Sequence, residues 1–165
     1  MGWTVRFIPA LINALTDPEF RIAQSAVRGL GELEVKEAAD TLMYFLENPR
    51  EGLRQDLLLS ALSKIGCVRI MPYLEKNLED SVWYHHTGAL RSMMRIDFET
   101  AKHYIYKSLK DERHLVRREA VTMLLETLPE EAVPHLENVI NDENWDVRFY
   151  AQQAIRLIKK KYGRQ

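Results

Sequence analysis

Two stretches that lie 31 residues apart decide the fold of this chain: Asp111-Glu112-Arg113-His114-Leu115-Val116-Arg117 and Asp142-Glu143-Asn144-Trp145-Asp146-Val147-Arg148. Each begins with an acidic pair and ends with valine followed by arginine. The pattern continues towards the N-terminus, because polar turn residues recur at intervals of 31, 32, 31 and 31 residues, at Asp17, Asn48, Asp80, Asp111 and Asp142. Such a period is typical of a protein built from stacked structural repeats.

Each repeat predicts two helices around a tight turn. Aliphatic residues stand six and two positions before each turn residue, as at Leu136 and Ile140, and residues four apart share one helix face. We expect the turn Asp or Asn to cap the second helix, which places helix starts near all five turn residues. Glycines at 31, 66 and 163 are suited to end second helices in the left-handed conformation. No segment alternates with the period of a strand, so the sequence predicts an all-α fold.

Nine residues after the turn residue stands a small or aliphatic side chain at the centre of the second helix. Alanine at this position lets two helix axes approach closely. We therefore expect the four alanines of this set to be almost fully buried: Ala26, Ala89, Ala120 and Ala151.

The chain resembles short HEAT repeats of the phycobilisome-lyase type over nearly its whole length, from about Phe7 to Lys161. Val133-Pro134-His135-Leu136 is similar to the Val-Pro-x-Leu opening of such repeats, and Ala61-Leu62-Ser63-Lys64-Ile65-Gly66 is similar to their ending. The resemblance implies a right-handed α-solenoid of five helix-pair repeats in one domain, 1–165. The expected repeats span about 5–33, 36–66, 67–97, 98–128 and 129–162. In such solenoids the second helices line the concave face.

Composition favours a soluble protein and argues against two classes of partner. Of 165 residues, 46% are hydrophobic and 28% are charged, a mixture typical of globular domains. The net charge of −1 disfavours a nucleic-acid binder. No run approaches the roughly 20 apolar residues of a membrane span, so we expect no membrane partner. Cys67, the single cysteine, cannot form an internal disulfide, and the expected compartment is the cytoplasm.

The candidates for chemistry are few. Trp83-Tyr84-His85-His86 departs from the other repeats, yet adjacent histidines on a helix point about 100° apart and cannot chelate one metal as an i, i+4 pair can. We expect His85 to be a half-buried packing residue and His86 a polar edge. Cys67 follows Gly66 in a loop and lacks an activating pattern. The sequence therefore predicts no metal, no cofactor and no catalytic residue.

Arginine occupies the sixth position after the turn residue in three repeats, at Arg54, Arg117 and Arg148. The row could hold an anion. In repeats of this type it more often forms a structural ladder with turn carboxylates, here Asp111 and Asp142, and we predict the ladder.

A second row lies about 140–160° from the core centre on the second helices, and it supplies the predicted binding residues of the concave face: Arg28, Leu59, Tyr84, Arg91, Arg118 and Phe149. Arginine and aromatic residues are enriched in protein interfaces. Scattered apolar side chains on a surface can equally be without meaning.

The sequence thus favours a non-catalytic protein-binding or scaffold module that uses this concave face. Two alternatives stay open: an accessory factor of the bilin-lyase type, and a nucleic-acid-binding HEAT-like protein. The N-terminal helix has an apolar start with Trp3, Val5 and Phe7. It predicts either a monomer or a weak homodimer formed through that helix.

Overall fold

The computed structural model describes the backbone of residues 2–163 and the side chains of residues 7–163. This part of the chain forms ten α-helices: α1 (Gly2–Ala14), α2 (Phe20–Glu32), α3 (Ala39–Glu47), α4 (Gln55–Ile65), α5 (Met71–Leu78), α6 (Trp83–Ile96), α7 (Phe98–Ser108), α8 (His114–Thr127), α9 (Val133–Glu137) and α10 (Trp145–Lys161). Short 3-10 turns precede α3, α5 and α9. No strand occurs between residues 2 and 163, so the all-α prediction is confirmed.

The chain divides into two compact units, residues 1–75 and 76–165. In the first unit, α1 packs on α2, α3 packs on α4, and α2 packs on α4. In the second unit, α7 packs on α8 and α9 on α10, while α8 also contacts both α6 and α10. Within each unit, second helices of successive repeats therefore lie side by side, as nearest-neighbour stacking requires. A single domain over 1–165 stays a prediction.

The predicted alanine positions lie in the core. Ala26 and Ala89 are 2% exposed, and Ala120 and Ala151 are 0% exposed. The prediction for these four residues is confirmed. Small side chains at these positions allow the close approach of neighbouring second helices, and α8 does contact both α6 and α10.

The second helix of repeat two starts later than predicted. The helices α2, α6, α8 and α10 begin three residues after their turn residue, whereas α4 begins at Gln55, seven residues after Asn48. Pro49 lacks a backbone N–H, and Gly52 adopts a left-handed φ of 79° that extends the turn. A Cβ at Gly52 would lie 2.5 Å from the Phe20 Cβ, so only glycine fits there. The prediction of a helix start near Asn48 is wrong.

The turn carboxylates bind a backbone N–H that lies at least two residues earlier in the chain than the one a helix cap would bind. The side chains of Asp17, Asp80, Asp111 and Asp142 each accept the backbone N–H two residues further on, at 2.8 to 2.9 Å. That N–H belongs to the residue that precedes the helix. These carboxylates therefore fix the turn, and the predicted role as the helix cap itself is wrong.

The three glycines predicted to end second helices divide into two groups. Gly66 ends α4 with a φ of 80°, and Gly163 follows α10 with a φ of 69°, as predicted. Gly31 instead lies inside α2 and is buried. A Cβ at Gly31 would lie 2.8 Å from the Ala61 Cα of α4, so this glycine lets two second helices touch and the prediction of a helix end there is wrong.

No helix among the described residues is long and apolar enough to cross a bilayer.

Candidate functional site

Arg117 joins two consecutive turns of the second unit. Its Nε and Nη2 donate to both carboxylate oxygens of Asp142 at 2.7 and 2.9 Å, and its Nη1 donates to the carbonyls of Asp111 and Glu112 at 2.9 Å. The side chains of Arg117 and Asp142 are only 9% and 8% exposed. Burial alone would raise the pKa of Asp142, but the hydrogen bonds from Arg117 and a backbone N–H lower it. The predicted ladder exists at this position.

The other two arginines of the row behave differently. Arg148 donates to the carbonyls of Asp142 and Glu143 at 2.6 and 2.9 Å, within its own turn. Arg54 pairs with Asp56, and both side chains are more than half exposed. Arg54 differs because α4 starts late, which leaves this arginine immediately before the helix. The prediction of one continuous ladder with turn carboxylates is therefore correct only at Arg117.

Histidine replaces this arginine in repeat three, and the structure contradicts the role expected for His86. His86 is 7% exposed, donates through Nδ1 to the Leu78 carbonyl at 2.7 Å and places Nε2 2.9 Å from the Ser108 hydroxyl. His85 is half-exposed and lies 2.7 Å from the Asp80 carboxylate. Burial lowers the pKa of His86. The prediction of His86 as a polar edge is wrong, because its buried ring contacts the last residue of α5 and the last residue of α7.

Repeat three lacks an arginine at this row position, and an arginine of the following repeat makes the hydrogen bonds to its turn instead. Arg113, two residues after its own turn residue, donates to the carbonyls of Asp80 and Ser81 at 3.0 Å. In repeat one, where Ala23 stands at the row position, Arg50 likewise donates to two turn carbonyls, at 2.8 and 2.9 Å. Turn carbonyls of repeats one and three are thus satisfied by the next repeat, a compensation that the sequence analysis missed.

These contacts show how the second helices of the second unit are oriented relative to one another. Arg113, before α8, reaches the turn before α6, and Arg117 reaches the turn before α10. At the opposite ends, Lys161 of α10 and Tyr162, which follows α10, both donate to the Leu128 carbonyl that follows α8, at 3.3 Å. The starts of these helices lie together, and so do the ends of α8 and α10, so the helices run parallel.

Arginines predicted for binding pair across these parallel helices. Arg91 of α6 pairs with Glu119 of α8, and its Nη2 lies 3.3 Å from a carboxylate oxygen of Glu126. Arg118 of α8 lies 3.9 Å from the Asp146 carboxylate of α10. The carboxylates fix the positions of the two guanidinium groups while leaving them partly exposed, 43% for Arg91 and 35% for Arg118.

Exposed aromatic rings lie at the starts of α6 and α10. Trp145 and Phe149 stack with centroids 5.0 Å apart and an interplanar angle of 13°, although they are 62% and 40% exposed. Tyr84 is 57% exposed and meets Trp83 edge-on at 5.9 Å. We call the partly or fully exposed side chains of α6, α8 and α10 the second-helix face; its members include Tyr84, Arg91, Arg118, Glu119, Glu126, Trp145 and Phe149. Trp145 is not among the binding residues predicted from the sequence, although its i, i+4 spacing to Phe149 is a usable signal.

The two remaining predicted site residues belong to the first unit. Arg28 is exposed on α2. Leu59 on α4 is only 3% exposed. α4 buries Leu58, Leu59, Ala61 and Leu62 and so has no exposed side at Leu59. The expectation that Leu59 lies on an exposed surface is wrong.

Among the residues whose side chains are described, no three His, Cys, Asp or Glu side chains are grouped so that they could hold a metal ion. Cys67 is half-buried and precedes the 3-10 turn Val68–Ile70.

Comparison with known proteins identifies the fold. A family model described as HEAT repeats matches residues 8–94 and 71–156. The complex of CpcE and CpcF of phycocyanin lyase from Nostoc sp. PCC7120 is similar in structure, with 22% identity, a TM-score of 0.52, and coverage of 93% of this chain and 68% of that chain. An engineered protein is also similar, with 18% identity, a TM-score of 0.51, and coverage of 92% and 78%. No curated protein matches the chain. The predicted α-solenoid class of repeat fold is confirmed.

Proposed function

Because the chain belongs to the HEAT-repeat family, we propose that it is a non-catalytic protein-binding module that holds another protein on its second-helix face. The observation that carries this proposal is the exposed stack of Trp145 and Phe149 beside the arginine pairs of α6 and α8. Large aromatic rings and arginine dominate the energetics of protein interfaces. A stacked pair that is this exposed offers a rigid apolar anchor at low entropic cost.

The backbone beneath the face supports this role. The turn before α10 is held by Arg117 and Arg148, and the turn before α6 is held by Arg113. A surface whose helices are fixed at their starts loses little conformational freedom when a partner binds. The ion pairs of Arg91 and Arg118 also reduce the conformational freedom lost on binding, because carboxylates of neighbouring helices already position both guanidinium groups.

One alternative has support of its own. The likeness to the complex of CpcE and CpcF of phycocyanin lyase favours an accessory factor of the bilin-lyase type. Incubation of the purified protein with a bilin, followed by gel filtration and absorbance spectroscopy, distinguishes this accessory role from the protein-binding module. Chromophore that comigrates with the protein supports the lyase-type role, and free chromophore supports the binding module. Nucleic-acid binding is disfavoured, since Glu119, Glu126 and Asp146 would face the phosphates.

The proposal is tested by affinity capture from native cell extract with matched variants. Tyr84→Ala and Arg118→Ala remove one exposed and one partly exposed side chain of the face, and Glu47→Ala and Lys107→Ala remove charges on first helices. A captured protein should lose affinity by more than about tenfold with the first two variants, as truncation of a binding hot spot does. Its affinity should stay nearly unchanged with the other two. Equal losses in both pairs, or loss only with the first-helix variants, would refute the proposal.

A further inference from the structure

Charge is strongly segregated within the second unit. Between residues 76 and 163 the positive and negative side chains balance at 14 each. The helices α6, α8 and α10 carry nine Lys and Arg against three Asp and Glu, a net charge of +6. The remaining residues of this range, in turns and first helices, carry five against eleven, a net charge of −6. The near-neutral composition therefore hides a basic layer of second helices.

The unpaired part of this positive charge lies towards the ends of the helices. Arg95 follows Tyr84 and Arg91 along one stripe of α6, at i+11 and i+4, and is exposed. Arg156 follows Phe149 by seven residues on α10 and is exposed too. Lysines at 159, 160 and 161 extend the charge to the end of α10. Because the helices run parallel, the aromatic rings of α6 and α10 line one edge of the face, and the cations of α6 and α10 line the other edge, where α8 contributes Glu126.

We infer that the second-helix face binds an acidic protein segment that also carries an apolar anchor. The inference rests on the proposed function and names the chemistry of the partner. The apolar side chain of the segment packs on Trp145 and Phe149, and its carboxylates lie against Arg95 and Arg156. A helix of 14 residues such as α6 is about 21 Å long, so an extended segment of about six residues spans both edges.

The carboxylates of the face favour a protein segment over a nucleic acid. Glu119 and Glu126 pair with Arg91, and Asp146 pairs with Arg118; Glu126 is 45% and Asp146 41% exposed. A phosphate backbone carries a charge at every nucleotide and would meet these carboxylates wherever it crossed α8. A peptide can place its acidic residues opposite the cations and leave uncharged residues opposite the carboxylates.

The test uses fluorescein-labelled peptides of about ten residues, long enough for both edges, with two leucines followed by glutamates. Matched peptides replace the glutamates with glutamines or with lysines. Fluorescence anisotropy with the full chain measures affinity at low salt, where exposed charges are least screened. The glutamate peptide should bind at least about fivefold tighter than the glutamine peptide, since exposed ion pairs contribute modestly. Arg95→Glu combined with Arg156→Glu should remove that preference, whereas Lys107→Glu on α7 should leave it.

Equal binding of the glutamate and glutamine peptides would overturn the inference. So would an oligothymidylate of equal charge that displaces the glutamate peptide at lower concentration, which would assign the face to nucleic acid. The captured partner separates this failure from that of the proposed function. If Tyr84→Ala and Arg118→Ala still weaken its binding by more than about tenfold, the function stands and only the acidic chemistry is wrong. If they do not, both fail.

Discussion

Replacement of Arg117 by methionine should destabilise the second unit by about 3 kcal/mol. The guanidinium makes two hydrogen bonds to Asp142 and two to carbonyls of its own turn, and both side chains of the ion pair are less than 10% exposed. Methionine keeps the length of the side chain and removes its charge, which leaves a buried carboxylate without its counterion. Breaking a buried pair in this way costs about 3–5 kcal/mol. The lower end applies here, because Asp142 keeps its hydrogen bond from the Asn144 N–H.

Arg54→Met is the matched control, because Arg54 stands at the same position of repeat two but forms an exposed pair with Asp56. Its loss should change the free energy of unfolding by less than about 1 kcal/mol. Urea denaturation followed by circular dichroism measures both variants. Adding Asp142→Asn to Arg117→Met removes the stranded charge and should recover part of the loss. Equal effects of Arg117→Met and Arg54→Met would refute the argument from burial.

Three further outcomes follow from the packing. Arg113→Ala should destabilise the chain by about 1–3 kcal/mol, because it leaves carbonyls of the turn before α6 without their hydrogen bonds. Adding His86→Arg should restore stability. If the double variant instead loses the sum of the two single losses, the compensation between repeats is contradicted. Gly31→Ala should lower the melting temperature, because its Cβ would lie 2.8 Å from α4. Gly88→Ala, with open space around the added Cβ, should raise stability by about 0.5–1 kcal/mol. If Gly31→Ala stabilises and Gly88→Ala destabilises, the contact between helices lies elsewhere. Burial lowers the pKa of His86 in the folded state, so its stabilising effect is present above the unfolded pKa of about 6.5 and is lost as pH falls through the folded pKa. Wild type should therefore lose more stability between about pH 7 and pH 5 than His86→Gln, and parallel urea curves for the two proteins would show that His86 does not titrate on unfolding.

The repeat period allowed the fold to be predicted because one position does the same physical task in every copy. Ala120 and Ala151 are buried for the same reason, and the pattern shows this directly. Prediction failed where a repeat departs from its siblings. Pro49 and Gly52 delay the start of α4. The late start places Arg54 outside the ladder. Leu59, in the same helix, is buried. A periodic pattern carries no information about such a local shift.

The candidate site was partly predictable for a related reason. Helical spacing places Tyr84 and Arg91 on one stripe, and the structure shows both exposed. Contacts between repeats are not encoded in that spacing. The pairing of Arg91 with Glu119, and the substitution of Arg113 for the arginine missing at position 86, depend on which side chain reaches across from the neighbouring helix. Only the packed structure reveals them.

Hydroxyl-radical footprinting of the chain with and without a captured protein partner tests the central claim most directly. Oxidation of Tyr84, Trp145 and Phe149, quantified by mass spectrometry, should fall when the partner is bound, because these rings are exposed on the second-helix face. Tyr44, which is 60% exposed on the first helix α3, should be oxidised equally in both samples. Protection of Tyr44 with unchanged oxidation of Trp145 and Phe149 would contradict the assignment of binding to the second helices.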